Sequence, residues 1–260
     1  MLRNLLLFLA TLAAATACTP AYARHLVDLS VVDRDNGQSI QPVAYRGDRW
    51  VPGIPGHRYS VRLRNTTGER VLVVLSVDGV NAVSGQTADA SQGGYVLGPW
   101  ESAEIDGWRK SLDEVAQFVF TDLADAYATR TGRPDNVGVI GIAVFREAQR
   151  LQPMAPAELG DESRSAAAPS AKAAMRNEAA DDAGIARQGI GTGHGDRQWA
   201  PVGRTGFERA SGQPAQVLQL RYDDMDALVA RGIMRRPCRN LRQSGPQAFP
   251  GGFVPDPPSG

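Results

Sequence analysis

Between Leu26 and Phe145 the hydrophobic period of the chain is two, and no other feature restricts its fold as tightly. In His57-Arg58-Tyr59-Ser60-Val61-Arg62-Leu63-Arg64, Tyr59, Val61 and Leu63 fall on one face and Arg58, Ser60, Arg62 and Arg64 on the other, as a half-buried strand requires. Asn65-Thr66-Thr67-Gly68 then supplies a turn. Val71 to Val77 is apolar on both faces and β-branched, which argues for a central strand, and Asp78-Gly79 closes it as a hairpin. Further strands are expected at Leu26 to Asp33, Pro42 to Tyr45, Gly94 to Leu97, Ala103 to Asp106, Ala116 to Thr121 and Val137 to Phe145, with a one- to two-turn helix within Asp122 to Thr131. Short strands punctuated by Gly, Pro, Asn and Asp at intervals of about ten residues predict a mainly β chain, an antiparallel jelly-roll-like sandwich.

Outside that block the composition changes. Residues 1–23 carry Arg3, an uncharged apolar run from Leu5 to Ala17 and Ala21-Tyr22-Ala23, the pattern of a cleaved signal peptide, which predicts a periplasmic or secreted protein. That run is about thirteen residues long, short of the roughly 20 that span a bilayer, so no transmembrane helix is expected. The alternative is an envelope lipoprotein anchored at Cys18, since Ala15-Thr16-Ala17-Cys18 is a degraded acylation signal. With Cys18 removed or acylated, Cys238 has no thiol partner, and stability must come from packing.

Residues 24–150 are expected to form the sandwich and 151–185 a flexible, disordered linker, because Gln152 to Asp182 has no aromatic and no β-branched side chain to bury. Residues 186–234 read as a small strand-plus-helix extension docking on the sandwich, with a strand at Leu218 to Tyr222, Asp223 as N-cap of a helix to Arg231, and Gly232 as its terminator. Its strand is expected to add to an open sheet edge. Residues 235–260, basic and rich in Pro and Gly, are expected to be a disordered tail.

The formal charge is zero, which speaks against nucleic acid as partner. Histidine is scarce (His25, His57, His194) and neither H-x-x-x-H nor C-x-x-C occurs, so no metal and no cofactor are expected. Gly189-Ile190-Gly191-Thr192-Gly193-His194-Gly195 lacks the context of a nucleotide loop; it reads as a flexible loop, or as an extended arm packed on the sandwich with His194 bonded to backbone. No catalytic residue is identified. The binding candidates are Asp78, Asn81, Tyr95, Trp100, Asp106, Trp108, Arg109 and His194: turn-forming polar groups and aromatic residues near strand ends, where a sandwich presents its loops. The competing reading is structural, with Asp78 and Asp106 shaping turns and Trp108 filling the core.

Val77 to Asn81, Gly94 to Pro99, Asp106 to Arg109, Val137 to Phe145 and Gly191 to Gly195 together resemble a group of uncharacterised exported proteins of Gram-negative bacteria. The resemblance implies an exported β-domain and no activity. The function expected is a non-catalytic binding or structural module of the cell envelope, its partner an unknown envelope component or protein; the alternative is a carbohydrate-binding or glycan-cleaving sandwich.

Overall fold

The computed structural model describes residues 25–148 and 188–236. The expectations for residues 1–23, for the whole linker 151–185 and for the tail beyond Arg236 lie outside them.

Two seven-stranded sheets face each other in a mainly β, sandwich-like fold. Sheet A runs β13 (Ile190–Trp199), β11 (Glu114–Asp122), β5 (Arg58–Asn65), β1 (Val27–Asp33) and β2 (Gln38–Ile40). β5 and β11 touch only at Tyr59–Phe118 and Arg58–Val119 and then part. β9 (Ser102–Ile105) follows β5 and β10 (Gly107–Arg109) follows β11, filling the fork, and the Asp106 carbonyl at its apex accepts from Phe118 N at 2.8 Å.

Sheet B runs β3 (Val43–Tyr45), β4 (Asp48–Gly53), β14 (Gln216–Asp224), β12 (Val139–Arg146), β6 (Val71–Val77) and β7 (Val80–Asn81), with β8 (Tyr95–Leu97) also on β6. Every pairing is antiparallel except β14 with β4, which is parallel. The β6–β7 connection is Asp78-Gly79 at φ +52° and +72°, the doubly positive pair that a two-residue hairpin demands.

The alternating pattern does what it dictates. Tyr59, Val61 and Leu63 point inward with Phe118 and Phe120, and Tyr59 stacks on Phe120 at 4.2 Å between ring centres. Three short helical turns, Leu123–Asp125, α1 (Tyr127–Arg130) and Pro134–Asn136, join β11 to the start of β12.

Three expectations are corrected. β14 does not add to an edge: it lies inside sheet B, bonded to β12 on one side and β4 on the other. β4 is concealed in the sequence by Pro52, which removes a donor, and Gly53, both strand-breaking by composition. Asp223 is not the N-cap. Asp224 is, its carboxylate accepting from Ala227 N at 2.8 Å ahead of α2 (Met225–Ala230), because β14 extends further than its apolar alternation. Asp223 is instead buried, paired with Arg231 at 2.7 Å and accepting from Gly189 N at 2.9 Å. Finally, Gly189 to Gly195 is no loop. Of the two readings of that stretch, the extended arm is the one observed, as most of β13.

Candidate functional site

The most constrained chemistry lies in the core. Asp78 is wholly buried, and its carboxylate accepts from Tyr222 Oη at 2.6 Å, Gly138 N at 3.0 Å and Thr192 N at 2.8 Å. Among the described residues no cation forms an ion pair with it. Thr192 Oγ1 lies 2.7 Å from Tyr222 Oη and 2.6 Å from Tyr59 Oη.

The direction of this chain follows from counting hydrogens. Tyr222 has one and gives it to Asp78, so Thr192 donates to Tyr222, and Tyr59 in turn donates to Thr192. Ionised Asp78 thus heads a relay in which every hydroxyl hydrogen has an acceptor. Protonation adds a fourth hydrogen to the same groups. Burial nevertheless pushes the Asp78 carboxyl up from 3.8 to about 6, with the bonds from Tyr222, Thr192 and Gly138 holding back the rise. Burial, followed by the charge of Asp78, also raises both phenols well above their ordinary value. Gly191 makes the relay possible, since a Cβ there would meet the Ala126 side chain at 2.5 Å and hold β13 away.

The remaining candidates divide by environment. Asn81 is buried: its Oδ1 accepts from Val83 N at 2.7 Å and Ser84 N at 3.0 Å, and its Nδ2 donates to Gln92 Oε1 at 2.9 Å, fixing the loop between β7 and β8. Asp106 accepts from Gln198 Nε2 at 2.8 Å. Arg109 donates to Leu112 O at 3.2 Å and Ala200 O at 2.5 Å, tying the β10–β11 hairpin to the end of β13. Tyr95 is half-buried near it, its phenol raised chiefly by burial. Trp108 fills the core, edge-on to Phe118 at 4.8 Å. Trp100 stands 60% exposed at φ +61°, a backbone region that bulky residues avoid. His194 is exposed on β13, 5.6 Å from the Tyr127 ring. Asp78 therefore faces the interior, Asn81, Asp106 and Arg109 brace loops, and Trp100 and His194 face solvent.

Three further groupings carry no signal in the sequence. Asp33, Asp35 and His57 place a ligand atom each within 4.8 Å of one another. Their lone pairs are already engaged: Asp33 accepts from Asp35 N and Asn36 Nδ2 at 2.9 Å each and faces His57 Nδ1 at 2.8 Å, while Asp35 accepts from Arg58 N at 2.6 Å. The Arg58 guanidinium accordingly holds Asp35 below the usual carboxylate range. The set fits a braced turn better than a metal centre. On the outer face of sheet B a groove of about 280 Å³ runs over Ser76, Gly141, Ala143 and Val217, and none of the sequence candidates lines it. Beside it, Arg209 lies 4.0 Å over the Phe145 ring and donates to Ala90 O at 3.1 Å, clamping a loop across that face. These groupings join distant residues, so only the folded chain reveals them.

No protein-family model, curated protein or solved structure matches the chain. Among the described residues no helix is long and apolar enough to cross a membrane.

Proposed function

We propose that this protein is a non-catalytic binding module of the cell envelope. One contrast carries the reading: the groups with perturbed chemistry, Asp78, Tyr59 and Tyr222, are sealed in the core with their hydrogen bonds made, whereas Trp100 and Trp199 stand 60% and 68% exposed. Trp199 stands on β13 and Trp100 in the turn between β8 and β9, and large aromatic side chains held in solvent by a rigid scaffold are suited to contact a partner. The exported character expected of residues 1–23, and the resemblance to exported Gram-negative proteins, set the compartment of this proposal. Co-sedimentation of the full-length protein with washed envelope fractions tests it. Saturable retention is expected; recovery wholly in the supernatant at low and physiological salt overturns it.

A carbohydrate partner is the second reading, favoured by Trp100, whose exposed ring at a turn is suited to stacking on a sugar. Under it, Trp100→Ala reduces retention on insoluble polysaccharide at least about tenfold with the melting temperature unchanged, a loss of about 1.4 kcal/mol.

A further inference from the structure

His194, singled out by its glycine-rich surroundings, stands where several cations meet. It lies directly across the ladder from Phe118, so both share the inner face of sheet A, yet Phe118 is buried and His194 is exposed. Tyr127 bridges the two environments, packing on Trp108 at 5.0 Å and on His194 at 5.6 Å. Around the same ring stand Lys110 Nζ and the Arg133 guanidinium, each 5.8 Å from its centre, and Arg130 follows on α1. Among the described residues no carboxylate forms an ion pair with Lys110, Arg130 or Arg133. Of the acidic residues in the adjoining segments, Glu114 pairs with Arg197 at 2.8 Å, whereas Asp113, Asp125, Asp135 and Asp196 form no ion pair among the described residues. Partial burial, then Lys110, Arg197 and Arg130, hold the His194 imidazole below its usual range.

Cations brought together without an ion-paired carboxylate repel one another, and a phosphate group, which carries one or two negative charges and at least two free acceptor oxygens, relieves several of them at once. A carboxylate offers two acceptor oxygens and a single charge, whereas a free phosphate offers three or more oxygens and up to two charges. Arg133 retains free N–H groups after its bonds to Thr131 Oγ1 at 3.0 Å and Gly85 O at 3.3 Å. Beyond the cations three apolar side chains stand in solvent: Leu112, Trp199 and Val202 are 43%, 68% and 37% exposed, and Val202 N donates to Leu112 O at 2.8 Å, which sets those two segments side by side. Lys110 belongs to the same hairpin as Leu112, and Arg197 to the same strand as Trp199.

We propose that the surface formed by Lys110, Tyr127, Arg130, Arg133 and His194 binds a phosphate group, free or as the headgroup of an anionic lipid. This deepens the binding-module reading and rests on it. A lipid places its phosphate among the cations and its glycerol and upper chains against Trp199 and Leu112, as aromatic residues at membrane interfaces do.

The full-length protein contains three histidines, so the His194 ring signal is followed by NMR and assigned with His194→Gln. Inorganic phosphate is titrated against sodium chloride at equal ionic strength, because screening alone also raises a depressed imidazole. Phosphate is expected to move the His194 titration upward, saturably and beyond the chloride control. Lys110→Gln and Arg130→Gln, both at exposed positions, are expected each to weaken that response about fivefold. Vesicles of phosphatidylglycerol are compared with phosphatidylcholine in parallel. Selective retention on the former, reduced by Trp199→Ala, assigns the lipid source; a phosphate response without vesicle retention assigns a free phosphate. The proposal is overturned if phosphate acts no more than chloride and neither vesicle retains the protein, or if both substitutions leave every response unchanged. Retention on whole envelopes in the face of those results leaves the binding-module reading standing.

Discussion

The Asp78 relay makes the pH dependence of stability run opposite to that of an ordinary carboxylate. In the fold this group titrates at about 6, against 3.8 unperturbed. At about 1.36 kcal/mol per tenfold change in proton affinity, the gap corresponds to about 3 kcal/mol. The native state holds the proton more tightly than the unfolded chain, so the contribution is fully present below about 3.8 and lost as pH rises through about 6. Between pH 4 and pH 7 the loss amounts to about 2 kcal/mol. Paired carboxylates such as Asp35 pull the other way, so the wild-type curve alone is uninformative. Asp78→Asn isolates the term. Its amide group sets a donor against Thr192 N, an unsatisfied contact costing about 1–3 kcal/mol, but that cost does not titrate. Urea unfolding of both proteins at pH 4, 5, 6 and 7 is expected to show the wild type losing about 2 kcal/mol relative to the variant as pH rises. A difference that is flat, or that moves in favour of the wild type, refutes the argument.

The relay also ranks its members. Tyr222→Phe removes a donor to a buried charge and is expected to cost about 1–3 kcal/mol, while Tyr59→Phe, at the far end, costs about 0.5–1.5, both read from denaturant midpoints. Trp108→Ala is expected to cost about 3–5 kcal/mol through the cavity it leaves, whereas Trp100→Ala stays within about 0.5 because it lies on the surface; calorimetry separates them. Residues 183–260 expressed alone are expected to give a collapsed amide spectrum, and so are residues 1–148, because β14 belongs between β4 and β12. Native-like dispersion in either fragment contradicts that dependence.

Period-two alternation is legible where one strand face meets the core, and a continuous β-branched run marks β6, which is buried on both faces, so β1, β5, β6, β11, β12 and β14 emerge from the residues alone. β4 is illegible because one of its two partners, β14, lies at the other end of the chain and its local composition, with Pro52 and Gly53, speaks for a turn. β13 was half legible: glycines weaken a strand by propensity, and only contacts with Ala126 and Val137 show why Gly191 is required. Asp78 was chosen for its turn, and its turn is real. Its burial was not readable, because Tyr59, Thr192 and Tyr222 come from three separate strands. The cations around Tyr127 are hidden for the same reason: the glycines around His194 draw attention to it, but Lys110, Arg130 and Arg133 are unremarkable in their own neighbourhoods.

The placement of β14 also orders events in time. A chain emerging from its N-terminus makes β4 and β12 long before the strand that separates them, so sheet B waits as two pieces with facing unsatisfied edges. The same wait applies to Asp78, since Thr192 and Tyr222 are made after everything else that encloses it. Closure of the sandwich and completion of the hydrogen bonds to Asp78 are therefore one late event. A chain cut short before Gln216 carries open edges and a carboxylate without its Tyr222 donor together, which marks it as unfinished to any protease or chaperone that samples it.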